Sequence, residues 1–95
     1  MQTEITIRHM ELSDNIKNYA IQEVEKLTQY WDRIVDAQII FDKEGDDYMV
    51  EIVSRVPGKT LTVNTATDDV IKSVDDAVNK MRRRLKKYKG KLINH

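Results

Sequence analysis

Eight cations crowd the end of this chain: Lys80, Arg82, Arg83, Arg84, Lys86, Lys87, Lys89 and Lys91, with no acid anywhere in residues 77–95. Arginine forks match phosphate oxygens in pairs and lysine supplies point charge, so the chemistry this run can do is to hold a polyanion. Cations near a helix C-terminus also complement its dipole, but that accounts for one or two of them. The four-apart pairs Lys80/Arg84, Arg82/Lys86, Arg83/Lys87 and Lys87/Lys91 repel, each by about 0.2–0.5 kcal/mol. A segment shaped only for folding would interleave glutamates. The pattern therefore points to phosphates, most simply those of structured RNA.

Nothing else in the chain builds a reactive centre. His9 and His95 are the only histidines and stand far apart, which suits neither a metal pair nor a Ser-His-Asp arrangement. Asp46/Asp47 falls in a turn and Asp68/Asp69 at a helix start, where acids are expected anyway. Asp75/Asp76 are neighbours on a helix and do not face each other. There is no glycine-rich phosphate loop and no cysteine. No catalytic residue, metal site or cofactor is expected. Tyr30, Trp31 and Tyr88 read as closure of a core in preference to a base-stacking platform, and Met10, Met49 and Met81 as packing residues.

The elements that must position the cations follow from periodicity. Residues 3–9 alternate, with Thr3, Ile5, Ile7 and His9 on one face, as a half-buried strand does. Leu12-Ser13-Asp14 opens a helix with Ser13 as its cap. Ile16, Ala20, Val24, Leu27 and Trp31 then form one stripe, and the helix should end near Tyr30 or Trp31. Val35, Ala37, Ile39 and Phe41 recur at period two, the turn Glu44-Gly45-Asp46-Asp47 follows, and Tyr48, Val50 and Ile52 continue on a second strand. Pro57-Gly58 has the signature of a type II turn before Leu61 and Val63. Residues 34–66 thus predict a three-stranded antiparallel meander, whose other face carries Gln38, Glu51, Arg55, Thr60, Thr62 and Asn64.

A second helix starts near Thr67-Asp68-Asp69, with Val70, Val74, Ala77, Met81, Leu85, Tyr88 and Leu92 as its apolar stripe. Around that helix Lys80, Arg83 and Lys87 lie opposite the stripe, Arg82 and Lys86 on one flank, Arg84 and Lys91 on the other. The expected fold is α+β: a β-α-β-β-β-α two-layer sandwich, a four-stranded sheet with both helices on one face. The first two strands, joined through a helix, can pair in parallel with a right-handed crossover.

Length and charge bound the rest. Ninety-five residues predict a single domain, 1–95, that buries only about 60–65% of its unfolded surface. The formal net charge of zero hides an asymmetry: residues 1–76 hold sixteen acids against eight bases, and residues 77–95 hold eight bases alone. An acidic body of net −8 repels bulk nucleic acid and leaves a basic end of net +8 to find a local, shaped site. The start lacks the apolar stretch of a signal peptide, and no apolar run approaches the roughly 20 residues of a membrane span. A cytoplasmic protein, monomeric when free and without a membrane partner, is expected.

The run from Asn79 to Lys91 resembles the end of the second helix in the ribosome hibernation-promoting factor and ribosome-associated inhibitor A family. Glu11-Leu12-Ser13 is similar to that family's helix-opening segment. Lys26-Leu27 with Tyr30-Trp31-Asp32-Arg33-Ile34 is similar to its join of first helix and second strand. The length matches the short members, and the likeness spans the chain. It implies a non-enzymatic translation inhibitor that binds the small ribosomal subunit in the channel of mRNA and tRNA, silences idle ribosomes, and acts with a separate modulation factor to favour ribosome dimers. Carried over, the ribosomal RNA contacts would be Lys26, Lys80, Arg83, Lys87, Lys89 and Lys91, joined by Arg82, Arg84 and Lys86 where the family is looser. Ile71 stands where the family often has an aromatic, Met81 where it has Leu, and Arg84 where it favours Gln; none removes a basic contact.

Two other readings compete. A double-stranded RNA-binding domain has a similar core but places lysines at the start of its last helix, where this chain has Asp68-Asp69. A protein-interaction regulator, of the kind labelled sigma-factor modulators, would use the polar sheet face or an edge strand.

Overall fold

Alternation and helical periodicity sort the chain as expected, and the order is β-α-β-β-β-α. In the computed structural model, which describes residues 1–93, the elements are β1 (Gln2–Arg8), α1 (Asp14–Glu25), a 3-10 turn (Lys26–Gln29), β2 (Asp36–Glu44), β3 (Asp47–Val56), β4 (Lys59–Thr67) and α2 (Val70–Ile93). The four strands form one sheet in the order β1-β2-β3-β4. β1 pairs with β2 in parallel, and β2-β3 and β3-β4 are antiparallel. The parallel pair follows from the crossover through α1.

Register places apolar side chains in rows under the helices. Ile5, Ile39, Ile52 and Val63 stand side by side, as do Ile7, Phe41, Val50 and Thr65. Ala20, Val24 and Leu27 from the first helical segment, with Trp31 just beyond it, meet Val74, Ala77, Met81 and Leu85 of α2 over these rows, all of them buried. Both helices therefore cover one sheet face. Gln38, Glu51, Arg55, Thr60, Thr62 and Asn64 alternate with the buried strand residues and look outward. There Arg55 pairs with Asp36, its cross-strand partner, and the guanidinium holds the Asp36 carboxyl below its ordinary value.

Turn chemistry sets the two hairpins. Gly45 takes φ +60° at the first central position of the Gly45-Asp46 loop, where a II′ turn needs glycine. Gly58 takes φ +80° after Pro57, as a type II turn requires.

Four expectations shift at element ends. β1 stops at Arg8; His9 turns away with φ +58° and bonds Asp42 through Nδ1 at 2.9 Å. Val35 precedes β2 and is exposed, because the chain is still turning there and buries Ile34 instead. The first helix tightens to 3-10 geometry after Glu25, although it does run to the expected Tyr30 region. Leu92 is 38% exposed, since α2 outlasts the sheet that its stripe packs on. His95 lies outside the described residues.

Candidate nucleic-acid interface

Three anchors hold α2 and so aim its cations. At its start, Asp69 Oδ1 accepts from the Ile71 amide at 2.9 Å, the capping role that short acidic side chains favour. Close by, Thr65 Oγ1 donates to the Ser73 carbonyl at 2.8 Å and Ser73 Oγ to the Tyr48 carbonyl at 2.8 Å, tying the first turns to β3 and β4. Mid-helix, Met81 and Leu85 are fully buried. Further on, Tyr88 Oη donates to the Pro57 carbonyl at 2.6 Å while its ring lies 5.9 Å from that of Trp31.

With the helix fixed, the cations divide by direction. Lys80 Nζ donates to the Asn64 carbonyl at 3.0 Å and Arg84 Nη1 to the Thr62 carbonyl at 3.1 Å, both along β4. Arg82 turns the other way: its guanidinium sits 5.5 Å from the Tyr30 ring centre, and Nη1 donates to Tyr30 Oη at 3.2 Å. Lys89 Nζ reaches the Tyr30 carbonyl at a long 3.4 Å. Arg83, Lys86, Lys87 and Lys91 are exposed and make no hydrogen bond or ion pair among the described residues.

None of these eight cations, in residues 80–91 of α2, forms an ion pair with any described carboxylate. Four spend hydrogen bonds on neutral oxygens, which leaves their charge uncompensated, and four spend none. Such a surface suits phosphate oxygens, the ligand that supplies the missing negative charge.

Lys26 stands apart from this set. It begins the 3-10 turn and pairs with Glu23 at 2.5 Å. That hydrogen bond, with the carboxylate's charge, raises the lysine's pKa. Its charge is partly spoken for, unlike those on α2.

Two features escaped the sequence. Tyr30, expected in the core with Trp31, is 45% exposed, while Trp31 is 6% exposed. The chain leaves the 3-10 turn there, so only one of two adjacent aromatics can point inward. The second is the groove between α2 and β4, about 510 Å³ and lined by Thr62, Asn64, Lys80, Arg83, Arg84 and Lys87. Helical and strand periodicities mark each wall but not their closeness. Among the described residues no group of His, Asp and Glu is arranged to hold a metal, and no helix is long and apolar enough to cross a membrane.

The profile of the family described as sigma 54 modulation protein / S30EA ribosomal protein matches residues 3–93. The chain belongs to this family. The S30EA family is a non-enzymatic, ribosome-associated one. Among its relatives, the ribosome hibernation promoting factor of Pseudomonas putida is 28% identical over 91 residues, covering 96% of this chain and 89% of that protein. The factor of the same name from Escherichia coli K12 is 26% identical over 95 residues, the full length of both. Two solved structures share the fold. A ribosomal subunit interface protein from Coxiella burnetii superposes with a TM-score of 0.89 at 24% identity, over 95% of this chain and 99% of that one. The N-terminal domain of Thermus thermophilus Protein Y gives 0.81 at 24% identity, over 90% and 94%.

Proposed function

We propose that this chain is a ribosome hibernation factor that docks on the small subunit in the channel of mRNA and tRNA, gripping ribosomal RNA through α2. The observation that carries this reading is the C-terminal part of α2, where eight cations stand without a single acidic partner among the described residues. Bound there, the protein would block decoding without any chemistry, and a separate modulation factor would be needed to pair ribosomes. Lys26 would add a contact from the end of the first helical segment. The names of the Pseudomonas and Escherichia relatives support the ribosomal half of the reading.

The position of the acids weighs against a double-stranded RNA-binding module. Asp69 caps α2, so the pole that such a module would press onto major-groove phosphates is negative.

Co-sedimentation with purified small subunits across a salt series tests the proposal. The native chain should bind stoichiometrically and weaken with salt, and the triple variant Arg83→Glu, Lys87→Glu, Lys91→Glu should lose binding. Equal binding by both proteins, or none by either, would sink the ribosomal reading and turn attention to protein partners of the open sheet face.

A further inference from the structure

β4 is an edge strand, and its free edge faces the basic helix. Residues beside a two-residue hairpin loop exchange both backbone bonds, and Val56 and Lys59 hold that position around Pro57-Gly58. Alternation then turns Lys59, Leu61, Val63 and Thr65 toward β3, and Thr60, Thr62, Asn64 and Ala66 toward the free edge. The contacts agree: the carbonyls that Arg84 and Lys80 reach belong to Thr62 and Asn64. The match is one of pitch. Four residues of helix advance about 6 Å, and two residues of strand about 6.7 Å, so cations four apart meet carbonyls two apart.

An amide and a carbonyl of one strand residue point to the same side, so the Thr62 and Asn64 amides also face the groove. Their carbonyls are occupied, and their amides, which face away from β3, meet no side-chain acceptor among the described residues. At these two residues the edge has thus become one-sided, with donors open and acceptors taken. An added β-strand needs both donors and acceptors and finds half of them blocked, which also protects the edge from pairing. An anion needs donors only. Across the groove stand Arg83 and Lys87, whose charge is uncommitted.

We infer that the Thr62 and Asn64 amides of β4, with Lys80, Arg83, Arg84 and Lys87 of α2, form a binding site for the phosphodiester backbone of single-stranded RNA. This deepens the proposed function and rests on it. RNA contact is then not confined to the helix surface, and a sheet edge supplies neutral, fixed donors that salt does not screen as it screens side-chain charge. Lys80 and Arg84 hold Thr62 and Asn64 in this donor-only state and lend them their field.

Amide nuclear magnetic resonance on the full chain tests the site, with hexauridylate as probe and with inorganic phosphate and hexaglutamate as comparisons. The expected result is that hexauridylate moves the Thr62 and Asn64 amides most, that inorganic phosphate moves them weakly, and that hexaglutamate does not pair along the edge. A second arm replaces Thr62 by proline. Proline is tolerated on a free edge because the lost amide bonds no strand, and T62P should weaken hexauridylate binding about three- to tenfold with the native fold retained by circular dichroism. If shifts are confined to the outer face of α2 and T62P binds as the native chain does, the edge site is overturned while helix-driven RNA binding stands. Hexaglutamate moving those amides more than hexauridylate, or no binding of hexauridylate at low salt, overturns it as well. Binding to small subunits, measured separately, shows whether the ribosomal reading survives.

Discussion

Tyr19 keeps its proton well beyond the usual range for a phenol. Its hydroxyl donates to Asp75 Oδ1 at 2.5 Å, joining α1 to α2, and that bond, then burial, then the carboxylate's charge push the pKa from 10.0 up to about 12. The folded state holds this proton more tightly than the unfolded state, so the stabilisation is complete below pH 10.0 and is lost as pH rises toward about 12. Absorbance titration should show one tyrosine ionising after the others, and Tyr19→Phe should abolish that late step. The same variant should lower stability by about 1 kcal/mol at neutral pH in urea denaturation; an unchanged midpoint would mean that the bond contributes nothing. Tyr19 and Asp75 lie 56 positions apart, and no pattern along the chain pairs them. Arg83 and Lys87, in contrast, were legible as free charges, because no acid that could neutralise them occurs from residue 77 onward.

At the scale of the element, α2 carries the contacts proposed for RNA and the Pro57-Gly58 hairpin sets its far half. A Cβ on Gly58 would lie 3.3 Å from Tyr88 Oη in a backbone at φ +80°. Where backbone angles are ordinary, Gly→Ala stabilises by about 0.4–1 kcal/mol; here left-handed strain of about 1–2 kcal/mol opposes it. Gly58→Ala should therefore destabilise the chain by about 1 kcal/mol in chemical denaturation and loosen the Tyr88 contact with the Pro57 carbonyl. A stabilised variant would show that the turn is not strained by a side chain. The turn type and the apolar stripe of α2 were both visible in the sequence, since each depends on neighbouring residues. That Tyr88 bonds the turn was not, because it requires α2 to run back along β4.

The whole molecule is an electric dipole. α2 runs antiparallel to β4, which brings its basic half toward the Pro57-Gly58 end, while Glu44, Asp46, Asp47 and Asp68 collect with Glu11 and Asp14 at the opposite end. Such a field would orient the protein as it approaches the proposed RNA partner and keep its other surfaces off. Replacing Glu44, Asp46 and Asp68 by lysine should tighten binding to arbitrary duplex RNA by about tenfold or more, with binding to small subunits little changed. A filter-binding assay checks this, and unchanged duplex affinity would show that the acidic pole does not restrain binding. Charge segregation was plain in the sequence as sixteen acids before residue 77 and none after it. The alignment of the poles along the molecule needed the sheet topology.

The amino-acid sequence by itself determined the order of the elements, the buried face of each, both hairpin turns and the basic end. Each of these is a local property: periodicity, turn chemistry and charge density are set by residues a few positions apart. Only the tertiary structure decided that Lys80 and Arg84 take the carbonyls of β4, that Arg82 rests on an exposed Tyr30, and that Lys26 pairs with Glu23 and stands apart from the α2 cations. The first two depend on how separate elements meet, and the third on which of several nearby partners a flexible side chain takes. Distance in space between elements is fixed by packing of the shared core, to which no single stretch of chain has access.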